Sequence, residues 1–203
     1  GMASQSSLSA STVTQMAKKN NMYNEFAQVL LGYTGSNNAV RMFESDLKLD
    51  QVGNMKDVFV ISLSRLLVKD EIKKNTFKIE LGSGSWTDPF GTGGAKTMTL
   101  QDSLARVNGD GVANADGGDY GVLYNKSNPG PNERGYGVIF YQAGIVVISS
   151  SVWQTGPSGS GKPIISDFYK ITRTGSPTSY NVRQCLQTAS ISGAMDALRH
   201  RIR

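Results

Sequence analysis

The stretch that decides the fold is Gly135-Tyr136-Gly137-Val138-Ile139-Phe140-Tyr141, which Gln142-Ala143-Gly144 connects to Ile145-Val146-Val147-Ile148-Ser149. Two runs of β-branched and aromatic residues around a short glycine-containing loop are typical of a β-hairpin. Both runs are apolar at successive positions rather than at alternate ones, so both faces of the hairpin are predicted to be buried. We therefore expect this hairpin at the centre of a sheet.

Further strands are predicted on both sides of the hairpin. Residues 57–63 are apolar on both faces, which predicts a central strand. Residues 76–81 alternate strictly, with Phe77, Ile79 and Leu81 inward. Residues 64–75 are ambiguous, because 68–74 resemble a helical turn. Other strands are predicted at 96–102, 120–124, 164–172 and 180–186, and a long polar loop at 108–119.

Extended helical patterns are found near the two ends of the chain. Apolar residues at spacings of three, four and seven predict an amphipathic helix over 13–32, which Gly32 ends. Residues 1–12 are rich in Ser, Thr and Ala, and we expect a flexible N-terminus there. Residues 190–203 predict a C-terminal helix with Ile191, Met195 and Leu198 on one side.

The order of these elements predicts the fold class. A β-rich domain over 33–189 lies between the two helices, and helices do not alternate with strands. Many short strands with frequent turns favour a mainly β architecture, a β-sandwich or a related antiparallel sheet. The 203 residues suffice for one such domain, and the low charged fraction of 18% agrees with a turn-rich β-protein.

Charge and cysteine content limit the partners and the compartment. The net charge of +5 is concentrated locally, notably at Arg199, Arg201 and Arg203, so we expect no nucleic-acid partner. Cys185 is the only cysteine, which excludes an intramolecular disulfide. No signal-like segment and no apolar run of about 18 residues is present, so we expect synthesis in a cytoplasm and no membrane partner.

The motif Gly156-Pro157-Ser158-Gly159-Ser160-Gly161-Lys162 matches the core of a phosphate-binding loop. A functional loop of that type needs Ser or Thr next, at the start of a helix, to ligate Mg²⁺. Pro163 occupies that position and supplies neither a hydroxyl nor an N–H group. The motif is better interpreted as a Gly/Ser-rich hairpin loop, and Lys162 is kept only as a candidate ligand-binding residue.

Other polar groups give weaker signals for chemistry. Asp110, Asn114, Asp116 and Asp119 miss the spacing of a calcium loop and suit turns instead. His200, the only histidine, lies in the basic C-terminal segment, so we expect no catalytic residue, cofactor or metal. Trp86 and Trp153 could stack on a glycan, although aromatic residues in β-proteins more often belong to the core.

Several segments resemble a known class of protein. Residues 26–33, 59–74, 136–147 and 188–202 together resemble structural proteins of contractile-tailed marine bacteriophages, especially those that infect cyanobacteria. Proteins of that kind continue beyond Arg199-His200-Arg201-Ile202, which implies that 190–203 could be the start of a truncated further region. The resemblance implies a virion component made in the host cytoplasm, and it implies no catalytic site.

These observations lead to an expected function with alternatives. We expect a non-enzymatic virion structural or assembly protein that contacts other virion proteins, and that could form a homo-oligomer. A carbohydrate- or receptor-binding module that uses Trp86, Trp153 and Lys162 is the first alternative. A nucleotide-dependent enzyme with its site at 156–162, or a carboxylate hydrolase, is the second.

Overall fold

In a computed structural model, the structure describes residues 10–32, 43, 55, 57–63, 71–82, 88–91, 97–105, 112–126, 135–153 and 190–203. Two α-helices, α1 (Ala10–Leu31) and α2 (Ile191–His200), lie at the two ends of this sequence. Seven strands lie between them: β1 (Val58–Ser62), β2 (Lys78–Gly82), β3 (Thr97–Gln101), β4 (Val112–Ala115), β5 (Gly118–Asn125), β6 (Gly137–Phe140) and β7 (Ile145–Ser149). A 3₁₀-helix, Ser150–Trp153, follows β7.

The described strands form one antiparallel sheet in the order β1-β7-β6-β5-β3-β2, and β4 pairs with β5 outside this path. Strand β1, which the sequence predicts to be central, lies at one end of this order and has only Phe59 buried. Strand β5 joins the two parts of the sheet. Residues 118–121 pair with β4, whereas Tyr124 and Asn125 pair with β3. The eight residues of β5 thus hold two partners along one edge, and the sheet curls there.

The central hairpin is buried on both faces, as its sequence predicts. Every residue of β6 is buried, and its side chains alternate between two hydrophobic clusters. Ile139 enters an inner cluster within the curl, together with Leu81 of β2 and Leu100 of β3. Val138 and Phe140 enter an outer cluster against α1. Full burial of such a side chain stabilises the fold by about 1.5–3 kcal/mol.

Helix α1 is fixed to the outer face at its C-terminal end. Leu30 and Leu31 are buried there, and Gly32 ends the helix with a positive φ of 77° and an N–H donated to the Gln28 carbonyl. The turn between β4 and β5 lies against this end, because Gly117 N–H donates to the Leu30 carbonyl at 2.9 Å. A Cβ at Gly117 would lie 2.9 Å from the Leu30 Cα, so only glycine permits this approach.

Tyr23 connects α1 to two isolated described residues. Its hydroxyl donates to the Met55 carbonyl at 3.0 Å and accepts from the Phe43 N–H at 3.0 Å. The rings of Tyr23 and Phe43 meet edge to face at 5.4 Å. Burial raises the pKa of Tyr23 to about 12, so the phenol remains a hydrogen-bond donor at physiological pH.

The prediction of a mainly β fold with a helix near each end is confirmed. The described strands form a curled antiparallel sheet, and a sandwich is not confirmed. Helix α1 begins at Ala10, within the segment expected to be flexible. Within the described part of the chain, neither helix is long and apolar enough to cross a membrane. The strands predicted at 164–172 and 180–186 lie outside the described residues.

The long polar loop predicted at 108–119 is wrong over its described part. Residues 112–115 form β4, and Asp116-Gly117 is the two-residue turn of a β4–β5 hairpin in which Ala115 pairs with Gly118. Asp-Gly between two strands is a common hairpin signal, but the polar sequence around it concealed the strand. The helical turn suggested for 68–74 is also absent over 71–74, where the chain forms bends and a turn.

The predicted side of α2 is partly wrong. Leu198 is buried as expected, but Met195 is 54% exposed. The buried residues of α2 are Ala194, Ala197 and Leu198. The small Ala197 belongs to the inner cluster and lets the helix backbone approach it closely, whereas a large methionine would hold it away. Hydrophobic periodicity favours the larger residue and so selects the wrong side.

Gly137→Ala tests the close contact of β6 with β7. A Cβ at this position would lie 2.5 Å from the Val147 carbonyl oxygen, which is backbone and cannot move aside cheaply. We expect a loss of about 1–3 kcal/mol in the free energy of unfolding, measured by urea denaturation.

Gly144→Asn in the β6–β7 turn is the control. Its nearest neighbour is 3.4 Å away, and Asn tolerates the φ of 66°. Equal losses in both variants would contradict this interpretation.

Candidate functional site

The side chains of the three ligand-binding candidates from the sequence lie outside the part of the chain that the structure describes. Trp86 and Lys162, with the whole 156–162 motif, lie outside the described residues. Trp153 is the last residue of the 3₁₀-helix after β7, and its side chain is not described. Whether these residues share a surface therefore stays a prediction.

The acidic residues near the β4–β5 turn have separate surroundings. Asp119 Oδ2 accepts from Lys74 Nζ at 2.7 Å, and its Oδ1 accepts from Asn114 Nδ2 at 2.9 Å. Asp116 instead lies against Gly32 at the end of α1. Asp110 is outside the described residues. Among the residues that are described, no three Asp, Glu, His or Cys side chains gather as metal ligands.

The most developed polar site surrounds Asp102, which follows β3 and is 1% exposed. Its carboxylate accepts three hydrogen bonds. Tyr141 donates its hydroxyl at 2.9 Å, and the backbone N–H groups of Asn75 and Phe77 donate at 2.8 and 3.0 Å. Three donors on one buried carboxylate replace much of the hydration that it loses. We call Asp102, Tyr141 and these two N–H groups the Asp102 cluster.

The surroundings of Tyr141 fix the position of its hydroxyl. The residue is fully buried, and its backbone N–H donates to the Asp119 carbonyl while its carbonyl accepts from Ile72 N–H. Gly121 leaves room for the phenol, because a Cβ there would overlap the hydroxyl oxygen at 2.1 Å. Lys74 Nζ lies 5.8 Å from the centre of the Tyr141 ring, within range of a cation–π contact.

Burial and hydrogen bonds shift the acid groups of this region in opposite directions. Burial raises the pKa of the Asp102 carboxyl, and the bonds from Tyr141 and the backbone only partly offset this. Burial also raises the pKa of Tyr141, as does the neighbouring Asp102 charge. The hydrogen bond from Lys74 lowers the pKa of Asp119, helped by Asn114. Lys74 in turn has a raised pKa, chiefly through the same bond.

The Asp102 cluster joins three separate parts of the chain. It ties residues 75–77 before β2 to the turn after β3 and to the end of β6. Asn75 adopts a positive φ of 61° there, which an asparagine tolerates better than most residues. The carboxylate and the phenol are both buried and bonded to each other, so the chemistry of this arrangement is internal hydrogen bonding. These bonds position the backbone of residues 75–77.

A second constellation lies where the chain closes the free side of β2. We call residues 190–203 the terminal arm. Glu80 and Arg203 exchange two backbone hydrogen bonds of 2.8 and 3.0 Å, and Gly82 N–H donates to the Arg201 carbonyl at 2.8 Å. Leu81 and Ile202 form an antiparallel bridge between these pairs. The arm therefore adds a short antiparallel segment to the sheet.

Side chains make this addition specific. Arg203 Nε and Nη2 donate to the two Glu80 carboxylate oxygens, each at 3.0 Å. The Arg203 guanidinium carbon lies 4.3 Å from the centre of the Phe90 ring. The pKa of Glu80 is lowered by the hydrogen bond from Arg203. Arg201 is fully buried and donates from Nη1 to the Gly82 carbonyl at 3.2 Å.

A third feature is the outward face of α1. Four residues at spacings of four, three and four lie on this face, and all are exposed: Lys18, Met22, Glu25 and Val29. We call them the outer stripe. Val29 is 66% and Met22 42% exposed, although both are apolar. Since α1 buries its opposite side in the outer cluster, Met22 and Val29 are apolar side chains left exposed beside the charged Lys18 and Glu25.

Sequence reasoning did not identify the Asp102 cluster or the β2 edge. The sequence places Asp102 at the end of a strand and Tyr141 in a hairpin arm, and no local pattern links the two residues. The available signal was a lone acid at the end of an apolar strand, which needs a donor if it is buried. That signal does not name the donor, which lies 39 residues away.

Tyr141→Phe tests the Asp102 cluster through its pH dependence. Because the folded pKa of Asp102 is raised, its contribution to stability is present below the unfolded pKa and lost as the pH rises through the folded pKa. Removing the phenol donor raises that pKa further, so it costs most when Asp102 is ionised. We expect a loss of about 1–3 kcal/mol at pH 7 and a smaller loss near pH 4, measured by urea denaturation.

The control for this variant is Tyr120→Phe. Tyr120 is a buried tyrosine of the outer cluster, away from Asp102. Its loss of stability should be the same at both pH values. If Tyr141→Phe also costs the same at pH 7 and pH 4, the hydroxyl does not stabilise the ionised form of Asp102.

Lys74→Met tests the separate pair with Asp119. A lowered pKa means that Asp119 stabilises the fold above its unfolded pKa and loses this effect as the pH falls through the folded pKa. The variant should raise the pKa of Asp119 and leave that of Asp102 nearly unchanged, as followed by carboxyl ¹³C shifts in NMR. The expected stability loss at pH 7 is at most about 1 kcal/mol, because the pair is partly exposed. Lys78→Met, on the exposed surface of β2, is the control and should change the pKa of neither carboxyl. An unchanged pKa of Asp119 in Lys74→Met would refute the assignment of this pair.

Comparisons with known proteins were made at three levels. No protein-family model, no curated protein and no solved structure matches this chain. The resemblance to phage structural proteins therefore depends on the sequence segments quoted above. The function has to be inferred from the surfaces of the structure together with that resemblance.

Proposed function

We propose that this chain is a non-enzymatic structural or assembly subunit of a phage virion, which acts through protein–protein contacts with its own copies or with other virion proteins. The observation that carries this proposal is the outer stripe of α1. Three of the four large apolar side chains that are exposed among the described residues belong to this helix: Val13, Met22 and Val29. Exposed apolar side chains on the outward face of a docked helix suit contact with another protein.

The geometry of the outer stripe supports one continuous contact. Met22 and Val29 are seven residues apart, which is two helical turns, so both can meet one facing helix or groove. Lys18 and Glu25 flank them with opposite charges and can pair with complementary charges on a neighbour. Such a narrow stripe gives a weak contact by itself. In an assembly of many copies, weak contacts add up to stable association.

The described acid groups fit this proposal. Asp102 and Asp119 bind donors of their own chain, so their hydrogen-bonding capacity stabilises the domain. A domain with a docked helix that exposes Met22 and Val29 is a suitable building unit, because this contact surface is already ordered before binding. The resemblance to structural proteins of contractile-tailed phages adds the virion as the proposed setting.

The double variant Met22→Lys/Val29→Lys tests the proposal. We expect the wild-type mass in light scattering to grow across a concentration series, since the outer stripe is covered on association. Two buried charges would weaken this contact strongly, so the double variant should need at least about tenfold higher concentration for the same mass. Circular dichroism should show an unchanged fold, because both side chains are exposed.

Met195→Lys on α2 is the matched control. Met195 is also an exposed methionine on a helix, but it lies outside the outer stripe. Its association should equal that of the wild type. A wild-type chain that remains monomeric at every concentration, or an equal effect of all three substitutions, would contradict self-association through α1.

A further inference from the structure

The edge of β2 is the starting point for an inference that is independent of the outer stripe. Strand β2 pairs with β3 along one side only, and its other side meets residues 201–203 of the terminal arm. Without the arm, the backbone groups of Glu80 and Gly82 that now bind Arg203 and Arg201 would form an open strand edge. Open edges are templates that pair with any strand of fitting sequence.

The fit between this edge and the arm is residue-specific. Glu80 recognises the Arg203 guanidinium with both carboxylate oxygens, and Phe90 lies beneath the same group. Ile202 packs against the inner cluster beside Leu81. The edge therefore selects an Arg-Ile-Arg strand by charge, shape and backbone pairing together.

The rest of the arm adds an apolar anchor. Ala197 and Leu198 of α2 are buried in the inner cluster, and Ile191 N–H donates to Gln15 Oε1 of α1 at 3.3 Å. Ser190 caps α2, since its Oγ accepts from Gly193 N–H. The arm is thus a helix and a strand that dock as one unit on the body of the domain.

The connection from the body to the arm is long. Residues 154–189 separate the 3₁₀-helix from Ser190, and a chain of that length spans at most about 120 Å when extended. That reach exceeds the dimensions of a single domain of this size. The hydrogen bonds and packing contacts described above for the arm are made with β2, Phe90, α1 and the inner cluster, so the same contacts form when these elements belong to a neighbouring copy.

We propose that the terminal arm is exchanged between copies of this chain, so that residues 201–203 of one copy close the β2 edge of another. The arm of a second copy is the occupant that matches every specific contact, because it has the same sequence. Exchange in both directions produces a symmetric dimer in which the β2 edge of each copy is paired with the arm of the other copy. High local concentration, as in an assembly, favours the exchanged form over the self-closed form.

A charge-reversal mixture tests the exchange. Glu80→Arg in one chain and Arg203→Glu in another each place like charges at the edge of their own fold. When the two variants are unfolded and refolded together, each arm finds an opposite charge only on the other chain. Native mass spectrometry, with one variant isotopically labelled, should show at least about tenfold more heterodimer than either homodimer.

The Glu80→Arg/Arg203→Glu double variant in one chain is the folding control. It restores opposite charges within each chain but loses the contact of Arg203 with the Phe90 ring, so it should recover most of the wild-type stability and a ratio of monomer to dimer close to that of the wild type. If the refolded mixture contains only monomers, or only the heterodimer fraction of random pairing, arm exchange is refuted.

A disulfide trap gives a second, independent measurement. Glu80 and Arg203 exchange both backbone hydrogen bonds, and such pairs have Cα atoms about 5.5 Å apart, within disulfide range. Glu80→Cys chains and Arg203→Cys chains, both carrying Cys185→Ser, are refolded together and oxidised. Exchange predicts a disulfide-linked heterodimer on a non-reducing gel. Lys78→Cys with Arg203→Cys is the register control and should give at most about a tenth as much.

The two interfaces can be separated in one experiment. Adding Met22→Lys/Val29→Lys to both charge-reversed chains removes the outer stripe but leaves the β2 edge intact. Heterodimer formation by arm exchange should persist in that background. If it disappears together with the stripe, the heterodimer depends on α1 and not on the arm, and the exchange proposal fails while the proposed function stands.

Discussion

The fold depends on a hairpin that has no polar face. Because β6 and β7 carry apolar side chains on both faces, each face of the hairpin has to be covered by a different part of the chain. Helix α1 covers one side through Leu30 and Leu31. The curl of the sheet covers the other side, with β2, β3 and α2 closing around Ile139 and Ile148. The two helices near the chain ends are therefore structural necessities of the central strands.

The curl brings together segments that are distant in the sequence, and polar groups fix their alignment. An apolar cluster tolerates small sliding movements, whereas a buried carboxylate with three donors has one satisfactory geometry. Asp102 supplies that geometry for the segment before β2, and Tyr141 relates it to the central hairpin. A buried acid with a raised pKa lowers the free energy of unfolding at neutral pH. We infer that the Asp102 cluster accepts this loss of stability and in return gives the curl a single arrangement.

The features of this fold that depend on neighbouring residues can be predicted from the sequence, whereas those that depend on distant contacts cannot. The double burial of β6 and the alternation in β2 are local patterns, and both predictions are confirmed. Strand β4 is not predicted because a strand of only four residues beside polar turns shows little hydrophobic periodicity. Met195 is exposed because the opposite face of α2 packs against the core, and the choice of face is set by the tertiary structure. Contacts such as Glu80 with Arg203 join residues with no shared local pattern, so a single sequence cannot reveal them.

The distance along the chain between β2 and the terminal arm has a consequence for biosynthesis. Glu80 and its partner Arg203 are 123 residues apart. At a translation rate of about 5–20 residues per second, the β2 edge emerges from the ribosome roughly 6–25 seconds before the strand that covers it. Nascent chains on one messenger thus carry uncovered edges side by side during this interval. The order of synthesis, and not only the final energies, then determines which copy's edge an arm meets first.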